Sequence, residues 1–301
     1  MLQDMNRLTL ERRARIVGML AEGNSLRATS RLADVSINTV TKLLVDVGAA
    51  CEQYQDRTLR TLKSKRIQCD EIWSFVYAKA KNVPERMRGA WGVGDVWTWT
   101  AIDADSKLIP SWAVGRRDAA TGHAFMLDLA SRLSTRVQLT TDGHKVYLEA
   151  VEGAFGSEID YAMLVKTYEG DSGKKAPAET RYSPAECTGS YTQQITGQPD
   201  GAYISTSYAE RQNLTMRMSM RRFTRLTNAF SKKVDNHKAA VALHFMHYNF
   251  CRVHQTLRVT PAMQAGISDH VWEIGEIIAL LPKPTVAAWG SKKRAASALS
   301  A

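Results

Sequence analysis

At Ile67 the hydrophobic rhythm of the chain changes. Upstream, apolar residues recur at helical spacing; over residues 67–77 the run Ile-Gln-Cys-Asp70-Glu71-Ile-Trp-Ser-Phe-Val-Tyr alternates with a period of two, as an extended strand does. Cys69, Glu71, Trp73 and Phe75 fall on one side and Asp70, Ile72, Ser74 and Val76 on the other, so this strand carries a carboxylate on each face. A second strand is expected over residues 96–103, then a turn at Asp103-Ala-Asp105-Ser-Lys and a third strand over 108–114. Together they form an antiparallel meander. Asp103 and Asp105 are read as turn formers, because Asp side chains bond their own backbone in hairpin turns.

Downstream the pattern alternates between helix and strand. Phe125, Leu129 and Leu133 recur every four residues within 119–133, with Asp118 as a possible cap. A short apolar strand follows and ends at Asp142, where Gly143 opens another helix; a fifth strand is expected over 158–165. This order defines an α/β class with a mixed sheet and flanking helices. Asp142 sits at the carboxyl end of its strand, the place where open α/β sheets bind ligands.

Before the sheet, residues 9–48 have the periodicity of three short helices. Thr9, Ser25 and Ser36 can cap them, Gly23 can end the first, and Asp34-Val35 makes a tight turn before the third. These lengths fit a small all-α helix-turn-helix domain, residues 1–50. In such a unit the start of the last helix enters the major groove, which makes Asn38, Thr39 and Lys42 candidate DNA contacts, with Ile37 and Thr41 beside them. A plain structural subdomain has the same pattern; the cluster Arg7, Arg12, Arg13, Arg15, Arg27 and Arg31 favours DNA. Residues 51–66 read as a basic helical linker to the next domain.

After the fifth strand, residues 169–205 form a polar insertion with no apolar period. The chain then reaches Ser-Tyr-Ala-Glu210-Arg-Gln-Asn213, followed by Arg217, Arg221, Arg222, Arg225, Lys232 and Lys233. Between Arg211 and Val234 there is no acidic residue. Asn213 lies three residues beyond Glu210, on the same face of a helix. Alone, the stretch reads equally as a metal-ligating carboxylate beside a phosphate backbone or as a solvated basic helix whose Glu offsets the macrodipole. The alternation of Met216, Met218 and Met220 is expected to interrupt the helix, with Phe223, Leu226 and Phe230 restoring it. A strong helix is expected over 238–253 and a last one over 268–282, before a basic tail at 287–301.

The chain of 301 residues has a formal net charge of +10, which favours polyanionic partners. Its four cysteines form no C-x-x-C pair, so neither a zinc site nor a disulfide framework is signalled. No apolar stretch of membrane-spanning length occurs and the start lacks a signal-peptide core, so the expectation is a soluble protein of a reducing compartment, without a membrane partner.

Three carboxylates stand out by position: Asp70 mid-strand, Asp142 at a strand end and Glu210 at a helix start. Two divalent ions need such a set of hard oxygen ligands to clamp the attacking and leaving oxygens of a phosphoryl displacement. The element order, with Cys-Asp70-Glu-Ile-Trp-Ser-Phe, Thr-Thr-Asp142-Gly and Tyr-Ala-Glu210-Arg-Gln-Asn213, resembles the ribonuclease H-like core of DDE transposases of the bacterial insertion-sequence-one type. Tyr248-Asn249-Phe-Cys-Arg252-Val-His254 with Thr260-Pro261 is similar to a segment many such enzymes carry. The resemblance covers residues 67–265; members of this type often begin with a zinc-binding ribbon, which this sequence does not have.

The resemblance implies a DNA transposase that cuts the ends of an insertion sequence by metal-assisted hydrolysis and joins the freed 3′-hydroxyls to target DNA. Asp70, Asp142 and Glu210 would be catalytic and would bind two Mg²⁺ ions, with Mn²⁺ as a substitute. Asn213 would support Glu210 or touch the scissile strand, and Arg217, Arg221, Arg222 and Arg225 would track phosphates. It further implies double-stranded DNA as partner, at least a homodimer, and a cytoplasmic, nucleoid-associated location. The competing readings are a transposase-derived DNA-binding regulator without catalysis and a ribonuclease H-like nuclease. His144 reads as a DNA contact or a first-turn residue, Arg252 and His254 as packing for the last helix, and Trp97 and Trp99 as core or sheet-surface aromatics.

Overall fold

The computed structural model describes residues 8–168, 187–224 and 228–282. Three N-terminal helices form where the capping residues predict them: α1 (Leu10–Ala21), α2 (Leu26–Ala33) and α3 (Ile37–Thr58). The side chains of Thr9, Ser25 and Ser36 accept from the backbone N–H groups of Arg12, Ala28 and Asn38, satisfying donors that a helix start leaves without partners. Asp34 makes the turn before α3 in the left-handed region, with φ 49°. One expectation is corrected here. Residues 51–58 are not a separate connector but the last turns of α3, because Cys51 and Gln55 continue its buried stripe.

The sheet has six strands in the order β3-β2-β1-β4-β5-β6. They are β1 (Arg66–Val76), β2 (Gly94–Asp103), β3 (Ser111–Gly115), β4 (Gln138–Asp142), β5 (Asp160–Tyr168) and β6 (Cys187–Thr196). Strand β2 is antiparallel to β1 and β3, whereas β4 runs parallel to β1 and β5. That order and sense is the ribonuclease H-like arrangement. Strand β6 was not expected: it lies within the polar insertion, and its exposed side chains carry no apolar alternation. It forms by antiparallel pairing with β5. Residues 169–186 lie outside the described residues.

Helices cover both faces. On one, α4 (Ala119–Arg132) and α5 (Val146–Phe155) pack on Cys69, Trp99, Leu139 and Tyr161. On the other, α3, α6 (Ser207–Ser219) and α7 (Val234–Met246) close over Ile72 and Ile102. The N-terminal helices therefore share a core with the sheet. Helices α3 and α7 approach closely at Gly48, where a Cβ would stand 2.5 Å from the Cα of Ala239. Asn249, fully buried in a π-helical turn after α7, ties three elements together. Its Oδ1 accepts from Ile109 N–H, and its Nδ2 donates to Ile109 O and to Gln55 Oε1 on α3.

Helix α6 ends at Ser219, as the methionine alternation suggests, but it is not restored afterwards. Arg221–Phe223 form a single 3₁₀ turn, Leu226 and Arg225 lie outside the described residues, and Ser231 bridges to Val76 of β1 before α7 begins. The last described elements are α8 (Pro261–Gln264) and α9 (Ile274–Ala279), the latter shorter than expected. The basic tail is also outside the described residues. Among those described, no helix is long and apolar enough to cross a membrane.

Candidate active site

Strands β1 and β4 pair only as far as Gln68↔Thr140. Two residues further along each strand stand Asp70 and Asp142, side by side where the ladder has ended. Glu71 points to the opposite face of β1, yet at this open end its carboxylate reaches the same place. Ligand oxygens of Asp70, Glu71 and Asp142 all lie within 4.8 Å of one another.

Each member is held by identifiable contacts. Asp70 Oδ1 accepts from the Glu71 N–H at 2.7 Å, and Oδ2 accepts from Asn213 Nδ2 at 2.8 Å. Asp142 Oδ1 accepts from the His144 N–H at 3.0 Å. The Glu71 side chain is only 1% exposed, and its Oε2 receives Arg117 at 3.2 Å. The same guanidinium lies 3.8 Å from Asp142 Oδ2 and 4.8 Å from the centre of the Trp97 ring. Burial first, and the neighbouring Asp142 second, push the carboxyl groups of Asp70 and Glu71 up to about 7. Crowded acids of this kind call for a counter-charge.

Glu210 stands outside the 4.8 Å cluster but next to it, near enough to Asp70 to raise its pKa further. Its Oε1 accepts from Lys166 Nζ and from the Thr206 hydroxyl. One helical turn along α6, Asn213 donates to Asp70, so this helix is docked on the acidic strand by a direct hydrogen bond. Gln68 Oε1 fixes the start of α6 by accepting from the Tyr208 N–H.

Several buried polar atoms here have no hydrogen-bond partner: Glu71 Oε1, Asn213 Oδ1, His144 Nδ1 and the Tyr147 hydroxyl. The last lies against the Glu71 carboxylate and interacts with it. Orphaned oxygens beside clustered carboxylates suit a divalent cation, which takes hard oxygen donors. The residues present fit such an ion.

The remaining sequence candidates are dispersed. Asn38 and Lys42 are exposed at the start of α3, and Thr39 is half-buried; Lys42 pairs with Asp46. Asn213 is buried, and its Nδ2 is bonded to Asp70. Arg217 is half-buried and Arg221 is exposed. Arg222 donates to Ser231 Oγ, which in turn contacts the buried His237 against β1, and burial lowers the guanidinium to about 10. Arg225 is not among the described residues. A groove of about 1010 Å³ runs between α1, α2, the start of α3 and α7, away from the acidic centre. It brings Arg27, Thr41, Arg221, Arg222 and Lys232 to one surface.

His144 is edge-on to Trp99, with 6.0 Å between ring centres, so it packs on the core from the first turn after β4. Glu71 and Arg117 escaped the sequence reading. Period two assigns consecutive residues to opposite faces, and nothing in it marks where two strands part. The adjacent acids Asp70 and Glu71 were the only signal.

No family model matches this chain, and no curated protein does. Among solved structures it is similar to the Mos1 strand transfer complex, at 12% identity and a TM-score of 0.24, covering 80% of this chain and 78% of that one. It is also similar to the Mos1 transposase paired-end complex with the left transposon end, at 13% identity and 0.20, covering 50% of this chain. The Mos1 mariner paired-end complex with Mn gives 13% identity and 0.21, covering 51%. The chain spans 58% of the length of each of those two paired-end chains. Overlaps of this size leave the fold to rest on the strand order.

Proposed function

We propose that the protein is a DDE-type DNA transposase, cutting element ends by metal-assisted phosphodiester hydrolysis and joining the 3′-hydroxyl ends to target DNA. The observation that carries this reading is the meeting of Asp70 and Asp142, 72 residues apart in the chain, within 4.8 Å at the open end of β1 and β4. The ordered motifs around Asp70, Asp142 and Glu210 support it. Divalent ions bound there, Mg²⁺ or Mn²⁺, would supply Lewis acidity for an in-line displacement at phosphorus.

The chain's own residues do the positioning. Asn213 holds Asp70 by its amide and ties α6 to β1, so Glu210, on the same helix, is held beside the cluster. Thr206 and Lys166 fix the Glu210 carboxylate. Lys166 also brings a positive charge beside the acids, where a scissile phosphate would lie. Arg221, Lys232 and the exposed start of α3, around Asn38 and Lys42, would contact DNA. Phosphate contacts give affinity without sequence information; base contacts from α3 would give the preference for element ends. Joining two ends calls for at least a dimer, acting on chromosomal DNA in the cytoplasm.

Labelled DNA carrying candidate inverted repeats, incubated with the protein and Mg²⁺, tests the reading. Strand-transfer products are expected, and Asp142→Asn should reduce cleavage to background while leaving the gel shift intact. A gel shift without cleavage by the native protein would point to a regulator, and nicks without joining to a nuclease.

A further inference from the structure

Arg117 has a place in this centre that neither the motifs nor the reaction assigns. It lies between β3 and α4, one residue before the capping Asp118, and its Nε and Nη2 both face Glu71 Oε2 at 3.2 Å. Nη2 also approaches Asp142 Oδ2 at 3.8 Å. Thus one guanidinium bridges Glu71 and Asp142, whereas Asn213 bonds Asp70. Its guanidinium carbon lies over the Trp97 ring, 4.8 Å from the ring centre, and the side chain is 36% exposed. Leaving that position therefore requires no change in the core.

The charges constrain what can bind. Asp70, Glu71, Asp142 and Glu210 bring four negative charges when ionised; Arg117 and Lys166 return two. The balance of two negatives matches a single divalent cation. A second ion seeking oxygens of Glu71 and Asp142 meets a guanidinium already on them, and a like charge a few ångströms away disfavours its entry. Glu71 also interacts with the fully buried Tyr147 hydroxyl, which is neutral, so Arg117 is the cation that faces this carboxylate.

We propose that Arg117 is the resident counter-cation of the acidic centre, a positioning residue that holds Glu71 and Asp142 together and limits the DNA-free protein to one tightly bound divalent ion. A second ion and the Arg117 contacts exclude one another, and Glu71 is the fourth carboxylate that the second ion uses. This rests on the reading of Asp70 and Asp142 as cation ligands.

Titration of the full chain with Mn²⁺, counting free ion by electron paramagnetic resonance, tests it. The native protein should bind one ion tightly. Arg117→Gln and Arg117→Met, the latter keeping apolar packing on Trp97, should each tighten a second ion at least about tenfold; Arg117→Lys, which restores the charge, should return the native count. Glu71→Gln added to Arg117→Met should remove the second ion again. The metal-free melting temperature of Arg117→Met should fall, because a buried carboxylate has lost its partner, and the rise on adding Mn²⁺ should exceed that of the native protein. A folded Arg117→Met that binds one ion as the native protein does, or binds it more weakly, overturns the proposal. A native protein that binds no Mn²⁺ removes the ligand reading beneath it, which is a separate failure.

Discussion

Asp70 and Glu71 are neighbours in the chain whose carboxyl groups are both pushed up to about 7, by burial before any other cause. A raised carboxyl pKa means that the folded, metal-free protein keeps protons which the unfolded chain, titrating near about 4, has released. These two groups therefore favour folding most at acid pH, and the contribution is lost as pH rises through 7. A bound divalent ion replaces the protons and reverses the trend. The melting temperature with Mg²⁺ minus that with chelator should widen between about pH 5.5 and about pH 8; a gap independent of pH would contradict the arrangement. Asp70 and Asp142 were legible as candidates from the motifs around them and, for Asp142, from its place at the carboxyl end of a strand. Glu71 was not, since its convergence depends on β1 continuing past the point where β4 stops, which is a property of the pairing.

At the scale of elements, the polar ties are as informative as the apolar stripes. Asn249 saturates both backbone groups of Ile109 and reaches Gln55 on α3, a helix nearly two hundred residues away in sequence. Asn249→Ala would leave the Ile109 N–H and C=O buried without partners, at a cost of about 2–3 kcal/mol. Chemical denaturation should show this as a lower midpoint with an unchanged slope; a loss below about 0.5 kcal/mol would mean the tie is replaceable. The helix caps at Thr9, Ser25, Ser36 and Asp118 could be read from sequence, because a cap is a local hydrogen bond between residues two or three apart. Strand β6 and the full length of α3 could not. The first is exposed and owes its form to β5, and the second continues beyond the predicted helix because α7 and Asn249 lie against it.

Across the whole molecule, the ribonuclease H-like strand order puts chain segments from three regions at one end of the sheet. Sequence period gave the first five strands and the meander, but the convergence of β1, β4 and α6 is topological. The groove that brings Arg27, Arg221, Arg222 and Lys232 together is lined by none of the clustered acids. All of this turns on whether the acids hold divalent ions. Crystals soaked in Mn²⁺ and measured for anomalous scattering decide it most directly. A peak bounded by Asp70 and Asp142 is the expected result, absent in Asp142→Asn; a fully soaked crystal with no peak between those two carboxylates would contradict it.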